Sequence, residues 1–191
     1  YSINSGSNQI AFNGGSTGIS FGSLLPCGTY NVTFTYNGTQ VTYGTVLGAN
    51  NRCWLDRNLG ATKVADAYND SAAYGDLFQW GRCADGHQMR TYPDYPGPVS
   101  SSDCNGENQP WNGSFVTSAS ERLDWLTTQD NNLWQGVGGI NNPCPAGWRV
   151  PTGDELAAEL SSWEQKNKYG AMESPLRLPG AGYIPPSGGA R

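Results

Sequence analysis

Residues 141–160 read NNPCPAGWRVPTGDELAAEL, and this stretch decides the fold because it introduces a helix from a rigid corner. Thr152 is followed three residues later by Glu155, the spacing of a capping box, in which the threonine oxygen accepts a backbone N–H and the glutamate returns to the N-cap amide. Three prolines in the stretch fix the approach of the backbone. We predict a helix that begins after Thr152 and ends at Gly170.

The side chains of this stretch indicate what the helix packs against. Leu156, Leu160 and Trp163 recur at steps of four and three residues and form one apolar stripe. Trp148 is predicted to fill a pocket in the core. The guanidinium of Arg149 is predicted to lie on an aromatic face or to pair with a carboxylate.

Composition limits the class of protein. The 191 residues suffice for one domain, or for one domain with a small appendage. Only 14% of residues are charged and the net charge is −5, so nucleic-acid binding is disfavoured. Gly 26, Pro 12, seven Trp and ten Tyr predict a loop-rich fold with aromatic anchors. No stretch approaches the roughly 18 apolar residues of a membrane helix, so direct membrane insertion is not expected.

The five cysteines stand far apart, and His87 is the only histidine, so the usual zinc spacings are missing. We interpret the cysteines as disulfides of an exported protein, with at least one thiol free or paired to another chain. Residues 84–114 lack periodicity and are predicted to be a long surface loop. Cys83 and Cys104 flank it, and a bond between them would stabilise the fold by a few kcal/mol, on the order expected for loop closure.

Residues 1–48 alternate apolar and polar positions. Asn-Gly pairs at 13–14 and 37–38 lie between β-prone runs and predict two hairpins with type I′ turns. A short helix is predicted near 71–78, and a second one from the capping-box spacing of Ser118 and Glu121. The expected core residues between these segments are Trp54, Leu55, Leu59, Leu77, Phe78 and Trp80.

Four stretches, at 48–62, 72–88, 127–136 and 141–156, resemble a known family: GANNRCWLDRNLGAT, AAYGDLFQWGRCADGHQ, TTQDNNLWQG and NNPCPAGWRVPTGDEL. They are similar to the Fibrobacter succinogenes major paralogous domain, found in surface and secreted proteins of many bacteria, notably Bacteroidota. The resemblance covers about residues 44–184. The most specific part of it is the corner with Trp148, Arg149, Thr152 and Glu155, together with Trp54 and Trp80.

That resemblance implies an α+β, C-type-lectin-like fold with short helices and a small irregular antiparallel sheet, preceded here by a β-hairpin region. Residues 1–43 are then a small β-rich segment or the end of a preceding domain, and residues 44–191 are the lectin-like domain. Family domains continue past 176–184 into further strands, so we expect this domain to be truncated at its C-terminus. Fold alone does not choose a function.

Candidate chemistry is sparse. His87 lies in a glycine-rich turn and is interpreted as a structural or surface histidine. Oxygen-rich clusters at 66–70 and at Asp130, Asn131 and Asn132 make calcium possible, although Asp and Asn are also common turn formers. Tyr92, Tyr95, Trp111 and Trp134 are candidates for stacking on a ligand, with a core position as the alternative. Ser71, in Asp-Ser-Ala, is similar to a bacterial O-glycosylation signal.

These observations predict an extracellular or cell-surface ligand-binding or adhesion module without catalytic activity. Its expected partners are a surface glycan or a protein ligand. A structural subunit of a surface fibre or large secreted adhesin is the alternative, with partners in other chains of the assembly or in the secretion machinery. For a source in Bacteroidota, type IX secretion would be expected. An enzyme of the formylglycine-generating type is the third reading, and it would need a copper-binding cysteine pair.

Overall fold

The computed structural model of the chain describes residues 2–3, 25–104, 109–118 and 123–188. Its regular elements are short: a small antiparallel sheet, a two-stranded parallel sheet and two short helices. This confirms a mixed α and β class, while the lectin-like topology stays a prediction. None of the helices in these ranges is long and apolar enough to cross a membrane.

The antiparallel sheet contains the strands β1 (Ser2–Ile3), β2 (Asn31–Tyr36), β3 (Thr39–Leu47) and β4 (Cys53–Leu55), in the order β1-β4-β3-β2. The β2–β3 turn has φ of 47° at Asn37 and 74° at Gly38, the left-handed region that a type I′ turn needs at both central residues. The predicted hairpin at Asn37-Gly38 is therefore confirmed. The one predicted at 13–14 lies outside the described residues.

A first hydrophobic core lies against this sheet. Its buried members are Tyr36, Tyr43, Cys53, Leu55, Leu59 and Trp148, so Trp148 fills a core pocket as predicted. A disulfide between Cys27 and Cys53 fastens the segment before β2 to β4. The predicted boundary between residues 43 and 44 falls inside β3, and the residues on both sides of it share this core.

A second core lies beside the parallel strands β5 (Asp94–Pro96) and β6 (Phe115–Thr117). It consists of Cys104, Trp111, Val116, Trp125, Leu126 and Leu133. The prediction that 84–114 is a surface loop is wrong at His87, Gln88, Tyr92, Cys104 and Trp111, which are buried, while the other described positions of this segment are exposed or partly exposed. Irregular backbone can pack inside a protein when side chains and other backbone groups satisfy its hydrogen bonds, as they do here.

The predicted helix is present as α1 (Gly153–Ser162), with both bonds of the capping box formed. The Glu155 amide donates to Thr152 Oγ1 over 3.2 Å, and the Thr152 amide donates to Glu155 Oε2 over 2.9 Å. The helix ends before Trp163, and a second helix, α2 (Lys168–Glu173), follows. Gly170 is inside α2, so its predicted role as a helix terminator is wrong; a side chain there would collide with the carbonyl group of Gln165.

The predicted apolar stripe of α1 does not face the core. Leu156 and Leu160 are 48% and 44% exposed, and the buried residue of the helix is Glu159. Glu159 Oε2 accepts a hydrogen bond of 2.7 Å from the amide of Ala49. The stripe prediction is wrong because α1 docks on the turn after β3 through this carboxylate.

Two other helix predictions are wrong over part of their length. Leu123 has φ of 56° and Leu126 forms a β-bridge with Val99, so the helix predicted from Ser118 is wrong over 123–126. Residues 119–122 lie outside the described ranges. The helix predicted near 71–78 is reduced to a single 3₁₀ turn, Ser71–Ala73.

Candidate functional site

Arg82 forms the centre of a buried polar network beside the second core. Its side chain is fully buried, and its five N–H donors all have acceptors. Nε and Nη2 donate to Asp85 Oδ2 over 3.0 and 2.7 Å, Nη2 also to the Trp111 carbonyl, and Nη1 to Gln79 Oε1 and the Ser114 carbonyl. The guanidinium carbon lies 4.7 Å from the ring centroid of Trp111. Arg82 thus ties separate loops to one point.

His87 belongs to this network. Its Nδ1 lies 2.7 Å from Asp85 Oδ1, and its Nε2 accepts a hydrogen bond of 3.0 Å from the backbone amide of Gln79. Burial lowers the pKa of His87, and the accepting Nε2 fits the neutral imidazole. For Asp85, burial alone would raise the pKa, but the hydrogen bonds from His87 and the charge of Arg82 together lower it. The histidine is structural, and neither ring nitrogen is free to activate a nucleophile.

Trp80 is exposed above this network. Expected in the core, its side chain is instead 47% exposed, and it alone is exposed among the seven tryptophans, all of which the structure describes. The expectation that Trp80 is buried is therefore wrong. Its backbone is held in place, because the indole N–H of Trp125 donates to the Trp80 carbonyl over 2.8 Å.

Trp134 stands beside Trp80, with the ring centroids 6.2 Å apart and the planes tilted by 54°. The indole N–H of Trp134 donates to the Arg82 carbonyl over 3.2 Å, and its backbone has φ of 61°. A non-glycine residue in this left-handed region is held there by its surroundings. Asn141 adds support by donating to the Gly81 carbonyl over 3.0 Å. The backbone of Trp80 and the indole of Trp134 are thus both anchored by hydrogen bonds.

A groove of about 440 Å³ runs between this tryptophan pair and the start of α1. We call it the tryptophan groove. Gln135 and Gly136 extend the tryptophan wall, and the other wall is formed by 149–153. Its single charged lining residue, Arg149, is bonded to both oxygens of Glu155 over 2.8 and 2.6 Å, which confirms the predicted carboxylate partner. The hydrogen bonds from Arg149 lower the pKa of Glu155 to about 2, so this pair is ionised near neutral pH, and the same carboxylate also lies 3.3 Å from Nε of Arg52.

Trp80 also lines a larger hollow of about 550 Å³, the Trp80 cleft. Its described lining is mostly apolar and includes Leu77, Phe78, Phe115, Trp125, Tyr183 and Ile184. Tyr183 is 82% exposed. The exposed indole of Trp80 therefore borders two hollows of different character, one apolar and one with a polar wall.

The predicted ligand-stacking residues are mostly elsewhere. Trp111 is 2% exposed and packs between Trp125 and Arg82, and Tyr92 is buried in a stack with Phe115. Their ring faces are covered, because a hydrophobic ring on an irregular segment still gains by burial. Tyr95 is half-buried against the second core. Of the four predicted residues, Trp134 alone lines the tryptophan groove.

The predicted calcium ligands form a turn. Asp130 Oδ1 accepts hydrogen bonds from the backbone and side-chain nitrogens of Asn132, and Asn131 accepts one from Gln129. The cluster at 66–70 is occupied by an ammonium group, because Lys63 pairs with Asp66 and Asp70. Within the described ranges, no group of three or more His, Cys, Asp or Glu side chains is arranged to hold a metal ion. The contacts favour the turn-forming role of both clusters.

The five cysteines form two disulfide bonds and leave one free thiol. Cys83 and Cys104 are bonded as predicted, and Cys27 pairs with Cys53. The remaining residue, Cys144, is partly buried, and burial raises the pKa of its thiol to about 12. It is therefore a protonated, weakly nucleophilic thiol at neutral pH. Ser71, the predicted glycosylation residue, is exposed at the start of its 3₁₀ turn, and its modification stays a prediction.

Comparison with known proteins gives no relative: no family model, no curated protein and no solved structure matches the chain.

Two of the residues that build the site, Arg82 and Gln79, escape sequence reasoning. Both lie in the stretch FQWGRCADGH, where the apolar residues draw attention and the polar ones look like solvated positions. A usable signal is the concentration of Gln, Arg, Asp and His beside tryptophans in a chain with few charges. In such a chain, a cluster of polar groups next to core residues favours a buried network over an exposed turn.

Proposed function

We propose that this protein is a non-catalytic, extracellular ligand-binding or adhesion module. The observation that carries the proposal is the exposed indole of Trp80, which borders both the tryptophan groove and the Trp80 cleft and whose backbone carbonyl accepts a hydrogen bond from Trp125. Burying a large apolar side chain is worth about 1.5–3 kcal/mol, so leaving one exposed, while four other tryptophans are buried and two are partly buried, favours a binding role.

Rigidity of the site supports this role. The carbonyl of Trp80, the indole of Trp134 and the guanidinium of Arg82 are all hydrogen-bonded within the frame. A ligand that stacks on Trp80 therefore does not need to order the protein first. Preorganisation of this kind raises affinity by lowering the entropy lost on binding.

The non-catalytic part of the proposal rests on the fate of the reactive groups. His87 uses both ring nitrogens inside the buried network. Four of the five cysteines are joined in two disulfides, so a free cysteine pair of the kind used by the formylglycine-generating enzymes is not offered by the oxidised protein. The pKa of the remaining thiol, Cys144, is raised by burial.

The two disulfides favour an oxidising compartment, and we place the module outside the cell or on its surface. The lectin-like fold and the origin in a bacterial surface protein, with export as a type IX cargo for a source in Bacteroidota, are part of the proposal. They rest on the four quoted stretches. The partner is a surface glycan or a protein ligand.

A structural subunit of a surface fibre or adhesin is the second candidate. It is favoured by apolar side chains at the surface that the binding proposal does not use. Leu156 and Leu160 on α1 are nearly half exposed. Contacts between neighbouring subunits of an assembly cover surfaces of this kind.

The test is binding of the purified chain to intact bacterial cells and to a broad glycan array, with calcium and again with EDTA. The binding module predicts saturable retention that Trp80→Ala weakens and Tyr169→Ala does not; Tyr169 is 58% exposed on α2 and lines none of the described hollows. Absence of binding, together with ordered self-assembly under the electron microscope, would instead establish the structural subunit. Loss of binding in EDTA would indicate that binding needs calcium, with Asp130 and Asn131 as the candidate ligands.

A further inference from the structure

We propose that the tryptophan groove binds a neutral sugar ring of an oligosaccharide, stacked on the exposed face of Trp80 and touching the edge of Trp134. This inference rests on the proposed binding function and names the ligand class and the site. It combines three features of the groove: an exposed aromatic face, a polar wall opposite that face, and a described lining whose single charged residue, Arg149, is already hydrogen-bonded to Glu155.

The aromatic wall suits a flat ligand with an apolar face. The C–H groups on one face of a pyranose ring form such a surface, and an indole offers both area and a defined plane. The ring planes of Trp80 and Trp134 are tilted by 54° and their centroids are 6.2 Å apart, so the two rings do not stack face to face. Trp80 can therefore take the ligand on its face while Trp134 contacts its edge.

The opposite wall offers hydrogen-bonding groups of both kinds. The Thr152 hydroxyl accepts from the Glu155 amide and keeps its own hydrogen to donate. Gly153 is the first residue of α1, so its amide has no carbonyl partner within the helix. On the aromatic side, Gln135 donates to the Leu133 carbonyl and retains its side-chain oxygen as an acceptor. Sugar hydroxyls donate and accept, and they match such a mixed set.

The electrostatics favour a neutral ligand. Arg149 is the single charged lining residue, and Glu155 holds it with two hydrogen bonds on the side of the helix cap. An acidic sugar would have to compete with that carboxylate for the guanidinium. A proline-rich peptide can also stack on tryptophan. The donors of Thr152 and Gly153 lie on the wall opposite the indole and the acceptor of Gln135 lies beside it, however, and hydroxyls around a ring use this set more fully than a prolyl side chain does.

Two variants test the site without relying on one mutation. Trp80→Ala removes the stacking surface. Gly153→Gln narrows the groove: a Cβ at Gly153 would meet no atom within 4 Å, and glutamine has a better helix propensity than glycine, so the fold is kept. Ala157→Gln is the matched control, because it adds the same side chain to an exposed position of α1 that does not line the groove.

The experiment measures retention of these chains on immobilised neutral, acidic and amino-sugar oligosaccharides and on a proline-rich peptide, with melting temperatures as a check of folding. We expect wild-type protein and Ala157→Gln to bind neutral oligosaccharides equally. Trp80→Ala and Gly153→Gln should each lose about tenfold or more in affinity, in line with loss of an aromatic contact. The sugar-induced change in tryptophan fluorescence should vanish in Trp80→Ala.

The outcomes separate this inference from the proposed function. Neutral-sugar binding that survives both groove variants overturns the site and leaves the binding module standing. Trp80-dependent binding confined to acidic sugars or to the peptide overturns the ligand class. If the wild-type chain retains none of these probes and does not bind cells, the inference and the proposed function fail together.

Discussion

The two walls of the tryptophan groove each rest on an arginine–carboxylate pair, and the pairs differ in burial. Arg82 and Asp85 have side chains that are 0% and 3% exposed, whereas those of Arg149 and Glu155 are 16% and 8% exposed. The first pair joins two stretches of chain about 30 positions apart, because Arg82 also bonds the carbonyls of Trp111 and Ser114. The second joins residues six positions apart. The pair at the aromatic wall is therefore embedded in long-range contacts, whereas the pair at the helical wall is itself local, and that wall is joined to the turn after β3 through Arg52 and Glu159.

Among the variants that compare the two walls, the removal of Arg82 should cause the largest loss of unfolding free energy. Arg82→Ala leaves Asp85 buried without its cationic partner and removes the donor to two carbonyls, so we expect a loss of about 3–5 kcal/mol in unfolding free energy. Arg82→Lys should recover little, because an ammonium group cannot supply five donors in a fork. Urea denaturation measures both variants. Stability within about 1 kcal/mol of wild type in Arg82→Ala would show that the network does not hold this wall.

Opening the disulfide beside Arg82 comes next. The loop between Cys83 and Cys104 spans 21 residues, and the double variant Cys83→Ser, Cys104→Ser should lose about 3 kcal/mol by the loop-entropy estimate. Because this loop carries Asp85 and His87 of the buried network and not the helical wall, its backbone amides should exchange hydrogen faster while those of α1 stay protected. Hydrogen exchange followed by mass spectrometry distinguishes the two walls. Equal deprotection of α1 would contradict their independence.

The local pair should contribute less. Glu155→Gln removes an ion pair and weakens the capping box, and we expect a loss of about 1–2 kcal/mol at neutral pH. The pKa of Glu155 is lower in the folded protein, about 2, than its ordinary value of 4.5. Its contribution is therefore complete above pH 4.5 and is lost as the pH falls toward 2. Acid titration of stability should be flatter in Glu155→Gln, and an unchanged slope would count against this pair.

How far the sequence predicts this molecule follows the same division between local and tertiary contacts. The N-terminal cap of α1, the turn at Asn37-Gly38 and a carboxylate for Arg149, one of its two predicted partners, depend on neighbours within a few residues, and all three are confirmed. The exposure of Trp80 and the burial of Arg82 depend on partners about 30 to 50 positions away. Hydrophobicity predicted the opposite for Trp80, because it ranks residues by type and not by the hollows around them.

The pairing of Cys27 with Cys53 illustrates a second limit. Five cysteines without a known fold allow several pairings, and spacing alone indicated the Cys83–Cys104 bond only because both flank one loop. The predicted end of α1 is wrong for a different reason. The residue type of Gly170 predicts the end of a helix, whereas in the structure Gly170 lies inside α2 and allows a close approach to Gln165. A residue type permits several roles, and packing decides among them.

The smallest effect on stability should come from Trp80, although it is central to binding. Trp80→Ala removes a side chain that is nearly half exposed, so we expect unfolding free energy to fall by about 1 kcal/mol or less. Trp148→Ala, in the first core, should lose about 3–5 kcal/mol. Parallel thermal melts compare them. A large loss in Trp80→Ala would mean that the indole serves the fold.

The most direct measurement is the affinity of the purified chain for intact bacterial cells, titrated for wild type, Trp80→Ala and Tyr169→Ala under identical conditions. Our account predicts that Trp80→Ala weakens binding by about tenfold or more while its melting temperature stays close to wild type, and that Tyr169→Ala binds normally. Equal affinities for all three chains would contradict the claim that a rigid, exposed Trp80 is the ligand contact.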